Sequence, residues 1–256
     1  MKNTIKFFGI IALVAVIGFS MAACGGGGGG GDGGGGSSTF GDTLTLSNEQ
    51  VHIAKMNIKA YTSGSGSLYT YEPYKGSVKT FTSTVGGKGS ITDGKLNFTV
   101  GAPPAGMLEP IKTGDDVLGL GGDFEGDIYK DLKVTPKGTK CVGLEFDDPD
   151  LMKMKQDLQI KDTSFSVKVE MVLYVYVDQD CTITGTGGTA TQSSSFGKPY
   201  TVKASNINLS LKEGWNVMNV KTDVGYSGTG TMSIKTGNLS SCKWVYDDGS
   251  FGFDFD

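Results

Sequence analysis

Arginine is absent from this 256-residue chain, whose 23 basic residues are all lysine against 27 acidic ones, for a formal net charge of -4. Bidentate guanidinium forks to phosphate and arginine contacts to bases are therefore unavailable, and its acidic balance repels a nucleic-acid backbone. Nucleic acid is not an expected partner. Histidine is nearly absent too, with His52 alone. A histidine-rich zinc site is excluded, and any Ser-His-Asp or Cys-His centre would have to be built on that one residue, which sits in a strand-like run. The four cysteines, Cys24, Cys141, Cys181 and Cys242, match no metal-ligand spacing. Long apolar runs are also missing. The longest, Phe7 to Phe19, falls short of the roughly 20 apolar residues that cross a bilayer core.

What is there begins with that run. Lys2 and Lys6 precede it, giving a charged n-region and an apolar h-region, the layout of an export signal. The stretch "SMAAC" then sets Ala22 and Ala23 directly before Cys24 and resembles the bacterial lipobox, in which the cysteine is diacylated and the signal is cut just before it. Met21 stands where leucine is usual. Residues 1–23 are therefore expected to be a cleaved signal and Cys24 the lipid attachment point. Loss of Lys2 and Lys6 with the signal makes the mature chain about two charges more acidic.

Residues 25–36 are eleven glycines and Asp32. Glycine has the most backbone freedom to lose on ordering, and a Gly-rich segment covering 25–39 spans on average about 20 Å. Residues 24–39 thus read as a lipidated cysteine and a disordered tether that stands a folded domain off the membrane. Gly25 is not the aspartate that commonly retains lipoproteins at the inner membrane, so the resemblance implies the outer membrane, with the domain facing the surface or the periplasm.

Residues 40–246 read as one all-β domain, an antiparallel β-sandwich or partly open barrel, followed by an acidic-aromatic tail over 247–256. In "TSFSVKVEMVLYVYV" the odd residues Phe165 to Val177 alternate with Lys168, Glu170, Val172, Tyr174 and Tyr176, the period of two of a strand. If the odd set fills the core, the even set forms a half-charged, half-aromatic stripe. Tyr174, Tyr176, Lys168 and Glu170 are then candidates for ligand binding, with Tyr69 and Tyr71 as a similar pair. The alternative is that Tyr174 and Tyr176 are simply good strand formers, or lie under a helix over 148–158. Turn signals include Asp93-Gly94 and Glu213-Gly214. The apolar parity slips between Val202, Ala204 and Ile207, Leu209, Leu211, which a bulge near Asn206 would explain. "DPDLMKMKQDLQI" has helical spacing with Asp148 or Asp150 as N-cap, and Gly101 to Gly138 reads as a long irregular connection.

The segments "GGKGSITDGKLNFTVGAPP", "VYVDQDCTITGTG" and "NLSLKEGWNVM", with the lipobox signal, resemble a set of spirochaete lipoproteins of treponemal type that share a lipidated cysteine, a low-complexity tether and a "K-x-G-W-N" hairpin. The resemblance implies membership but carries no activity. In the hairpin Gly214 permits a left-handed turn and Trp215 supplies a large apolar surface.

Acidic clusters occur at Asp115 and Asp116, at Asp123, Glu125 and Asp127, and at Asp147, Asp148 and Asp150. Asp123, Glu125 and Asp127 are weak calcium candidates, since the EF-hand template wants Gly where Ile128 stands and Glu where Val134 stands. The three remaining cysteines are expected to pack as small apolar residues, with one disulfide pair among them as the lesser alternative. No cofactor and no catalytic residue is assigned. The chain reads as a non-enzymatic lipoprotein held to the membrane through Cys24 that displays a β domain for binding a host or envelope macromolecule. Alternatives are a periplasm-facing structural or envelope-maintenance lipoprotein, then a carboxylate-based hydrolase.

Overall fold

The computed structural model describes residues 40–56, 65–67, 69–111, 129–147, 151–161, 164–193, 199–225 and 229–246. They are almost all β. The first part of the chain gives β1 (Leu44–Met56), β2 (Ser65–Ser67), β3 (Tyr69–Pro73), β4 (Lys79–Thr82), β5 (Lys88–Thr92) and β6 (Lys95–Val100). The middle gives β7 (Glu109–Pro110), β8 (Tyr129–Thr135), β9 (Lys140–Gly143), β10 (Leu151–Lys161), β11 (Ser164–Val177) and β12 (Cys181–Gly187). The last part gives β13 (Thr189–Ser193), β14 (Pro199–Ala204), β15 (Ile207–Leu211), β16 (Gly214–Gly225), β17 (Thr229–Thr236) and β18 (Lys243–Tyr246). Among the described residues no helix is long and apolar enough to cross a membrane.

Local patterning explains several of these elements. In β6, Leu96, Phe98 and Val100 are buried while Lys95, Asn97 and Thr99 are exposed, the alternation of a strand with one covered face. Asp93 and Gly94 both have positive φ, at 51° and 72°, as the tight β5–β6 hairpin requires.

The strands form a fifteen-stranded sheet whose main path has the open order β13-β14-β17-β16-β11-β10-β18-β1-β6-β5-β4, with β2 on β10, β3 on β1, β9 on β11 and β7 on β9 off that path, and a three-stranded sheet β15-β12-β8. The large sheet is mixed rather than purely antiparallel, because β1 runs parallel to β18 and β14 to β17. It does not close into a barrel. One core lies between the small sheet and one face of the large sheet, where Ile183, Leu209 and Leu211 meet Val175, Val177, Met218 and Val220. A second core lies on the other face. There Leu44, Leu46, Phe81, Leu96 and Phe98 cluster with Tyr174, Tyr176, Trp215 and Trp244. The shape of β1 makes this possible: its pairing with β6 shifts between Leu46 and Glu49, Asn48 has φ 58°, and such a bulge bends a strand. Its first half pairs β6 and its second half pairs β3 and β18.

Three expectations are corrected. The segment with helical spacing is β10, held by β11 on one side and by β18 and β2 on the other. A ladder on both edges outweighs the weak preferences that favoured a helix. The parity slip after Ala204 is not a bulge but a change of sheet: β14 belongs to the large sheet and β15 to the small one. Val202, Ala204, Ile207, Leu209 and Leu211 enter the same core from its two walls. The Gly101–Gly138 stretch holds β7, β8 and a short 3-10 turn at Ala105–Met107, while 112–128 lies outside the described residues.

Candidate functional site

Strand β11 positions the residues singled out in the sequence, and it divides them. Its even residues do share a face, but that face is covered over part of its length. Tyr174 and Tyr176 are buried, so they are core side chains and not an outward recognition stripe. Tyr174 stacks on Trp244 with ring centroids 6.2 Å apart and planes 4° apart, and Tyr176 meets Trp215 edge-on at 5.1 Å. The folded-over β1–β6–β5–β4 end of the sheet supplies the covering side chains. Burial raises both phenols; that of Tyr176, which donates to Asp42 Oδ1 at 3.1 Å, is pushed up to about 12. Tyr69 is buried as well, while Tyr71 is half-buried and edge-on to His52.

The scarce chemical groups are placed as packing residues. His52 lies within β1, and burial lowers its imidazole below the ordinary value. Cys141, Cys181 and Cys242 are buried and none is in a disulfide, as expected from their strand-like surroundings. Burial pushes the Cys181 thiol up to about 11 and that of Cys242 up to about 12, so both stay protonated at neutral pH and are poor nucleophiles. Lys153 is buried between Glu49, 3.8 Å away, and the Trp244 ring, 5.6 Å from its ammonium. Burial lowers its pKa, against the pull of Glu49.

Lys168 and Glu170, by contrast, line an open groove of about 580 Å³ that crosses β11, β16, β17 and β14. Cross-strand register builds its floor. Lys168 lies opposite Asp223, which lies opposite Thr231, which lies opposite Lys203; Glu170 lies opposite Lys221, which lies opposite Ser233. Charges of opposite sign thus face each other, the favourable arrangement for directly paired positions. Lys168 Nζ is 3.5 Å from Asp223 Oδ2, Lys221 is bonded to Glu170 Oε1, and Ser241 donates to Glu170 Oε2 at 2.7 Å. Burial raises the Glu170 carboxyl, but the hydrogen bonds from Lys221 and Ser241, with the charges of Lys221 and Lys155, outweigh it and leave the group below the usual value. The lysines outnumber the carboxylates here. Among the described residues Lys203 is exposed and has no ion-pair partner, and the hydroxyls of Thr231 and Ser233 line the same trough.

Lys203, Lys221, Asp223, Thr231 and Ser233 were not singled out in the sequence. Their signal is the alternation in "NVKTDV" and "TGTMSI", where every second residue is polar and its neighbours are Val220, Thr222, Met232 and Ile234. The calcium candidates Asp123, Glu125 and Asp127, and the lipid attachment residue Cys24, lie outside the described residues. Among the described residues no three histidine, cysteine or acidic side chains are placed to hold a metal ion. No family model, curated protein or solved structure matches the chain.

Proposed function

We propose that this chain is a lipid-anchored envelope protein, attached through Cys24 at the outer membrane, whose β domain binds a polar ligand in the groove across β11, β16, β17 and β14. The observation that carries the binding reading is the groove itself, with its mutually paired charges and one lysine left unpaired. The acidic chain as a whole disfavours a dense polyanion, whereas one spare ammonium among hydroxyls suits a glycan whose carboxylates are widely spaced. The groove is not rich in aromatic rings, so hydrogen bonds and charge supply the specificity.

The test is a binding titration of the mature protein with hyaluronan oligosaccharides, which carry one carboxylate per disaccharide, beside neutral dextran. Binding of the acidic oligosaccharide, weakened tenfold or more by Lys203→Glu, is the expected result, a change of about 1.4 kcal/mol. Equal binding of both sugars, or of neither, would sink this assignment. The anchor is tested separately. Cys24→Ser should leave the precursor uncut and non-acylated, read by intact mass and detergent partitioning, because the resemblance to a lipobox makes the cysteine thiol the acyl acceptor.

A further inference from the structure

The structure fixes where the tether leaves the domain. Phe40 donates its N–H to Trp215 O at 2.9 Å, Trp215 donates its N–H to Gly41 O at 2.8 Å, and the Tyr176 hydroxyl reaches Asp42. This strap pins the residues after the tether to the start of β16. At the same place Trp215 Nε1–H reaches Gly101 O at 3.3 Å, so the loop that follows β6 begins beside the tether exit.

That loop is unusual in composition. From Gly101 to Leu108 it reads GAPPAGML, without one charged or hydrogen-bonding side chain. Pro103 is buried and Leu108 packs against the second core, but Ala102, Pro104, Ala105 and Met107 are exposed. Met107, at 43% exposure, is one of only two exposed large hydrophobics among the described residues. Exposed apolar surface of this kind marks an interaction site when it is contiguous.

We propose that the Gly101–Leu108 loop is a second, non-covalent membrane contact, seated in the interfacial layer of the bilayer to which Cys24 is attached. The proposal rests on the lipid-anchor reading. One methionine with a few alanines and prolines buries too little apolar area to hold a free protein on a membrane. A tether of roughly 20 Å changes that, because it holds the loop near the bilayer at an effective concentration in the millimolar range. Lys140 lies just beyond the loop, opposite Pro110, and is placed to meet an anionic headgroup. Glu109, Asp178 and Glu213 lie at the same end, with Asp180 paired to Lys212, and they keep the seating shallow. The groove is at the other end of β16. Asp223 is eight residues from Trp215, about 26 Å along an extended strand, so a domain seated on this loop turns its groove away from the membrane.

The experiment places Met107→Trp and, as a control in the groove, Thr231→Trp in the acylated mature protein, each checked for an unchanged melting curve and reconstituted into vesicles with and without brominated lipid. Trp215 and Trp244 are buried, and the parent protein in the same vesicles measures how much of their emission the bromines quench, which is subtracted from each variant. The expected result is quenching of the added emission by more than half for Met107→Trp and little for Thr231→Trp. Equal quenching of the two, or none at position 107, overturns the proposal. If Met107→Trp melts early, Ala105→Trp takes its place. If intact mass shows no acyl group, the lipid-anchor reading has failed on its own. Coupling the Cys24 thiol to a maleimide lipid then supplies the anchor, and the same comparison decides the loop.

Discussion

Replacing Tyr174 and Tyr176 together with alanine should cost several kcal/mol of stability and lower the urea midpoint sharply. Both rings are buried in the second core, one stacked on Trp244 and the other edge-on to Trp215. Truncating a buried aromatic side chain costs about 3 to 5 kcal/mol, and the whole margin of a domain is about 5 to 15 kcal/mol. The two losses share neighbours and will not add in full. Lys168→Ala, on the same strand face but half-exposed and paired across to Asp223, should shift stability by less than about 1 kcal/mol. A tyrosine double variant that kept the parent midpoint would mean that the rings are surface groups after all.

Gly214→Ala should be strongly destabilising. Gly214 has φ 95°, a conformation that costs other residues energy, and a Cβ there would fall 2.4 Å from Gly41 O and 2.5 Å from Gly41 C. Both atoms are backbone, so the strap formed by residues 40–42 would have to leave β16. Strain and the lost strap together should cost about 3 kcal/mol or more. Gly138 provides the comparison, with φ 84° and nothing within 4 Å of the added carbon, so Gly138→Ala should cost only about 1 to 2 kcal/mol. Melting curves of the two variants check the difference. Equal melting temperatures would show that the Gly41 contact contributes nothing.

The all-β class was legible because period-two alternation is local, and the same is true of the turn at Asp93-Gly94 and the left-handed Gly214. Pairing was not legible. Nothing in "LMKMKQDLQIK" says that a strand will lie on each side of it, and without those neighbours its apolar spacing suits a helix equally well. The tyrosines were left open between an outward stripe and a covered face for a related reason. Alternation in β11 suggested one covered face, yet the run from Met171 to Val177 has no charged residue, as expected of a strand covered on both. Which element does the covering depends on the bend in β1, more than a hundred residues away in sequence. The groove was half legible: Lys168 and Glu170 were picked for their strand face, but Lys203 reaches the same trough only through the parallel β14–β17 pairing, which no local pattern encodes.

The bend in β1 also sets how the domain would carry a mechanical load. On the proposed function, a ligand held in the groove would pull on β11 and β16, and the anchored chain ahead of Phe40 would pull at the other end. The first links to meet that pull would be the two hydrogen bonds between Phe40, Gly41 and Trp215, which would peel one at a time. The force then passes to β1, which is laced to β6 along its first half and to β3 and β18 along its second. Rungs set side by side share tension instead of failing in turn, and forced unfolding is governed by a rate, not by equilibrium stability. The strand that folds one end of the sheet over the tyrosines is therefore also the member that resists extraction under shear.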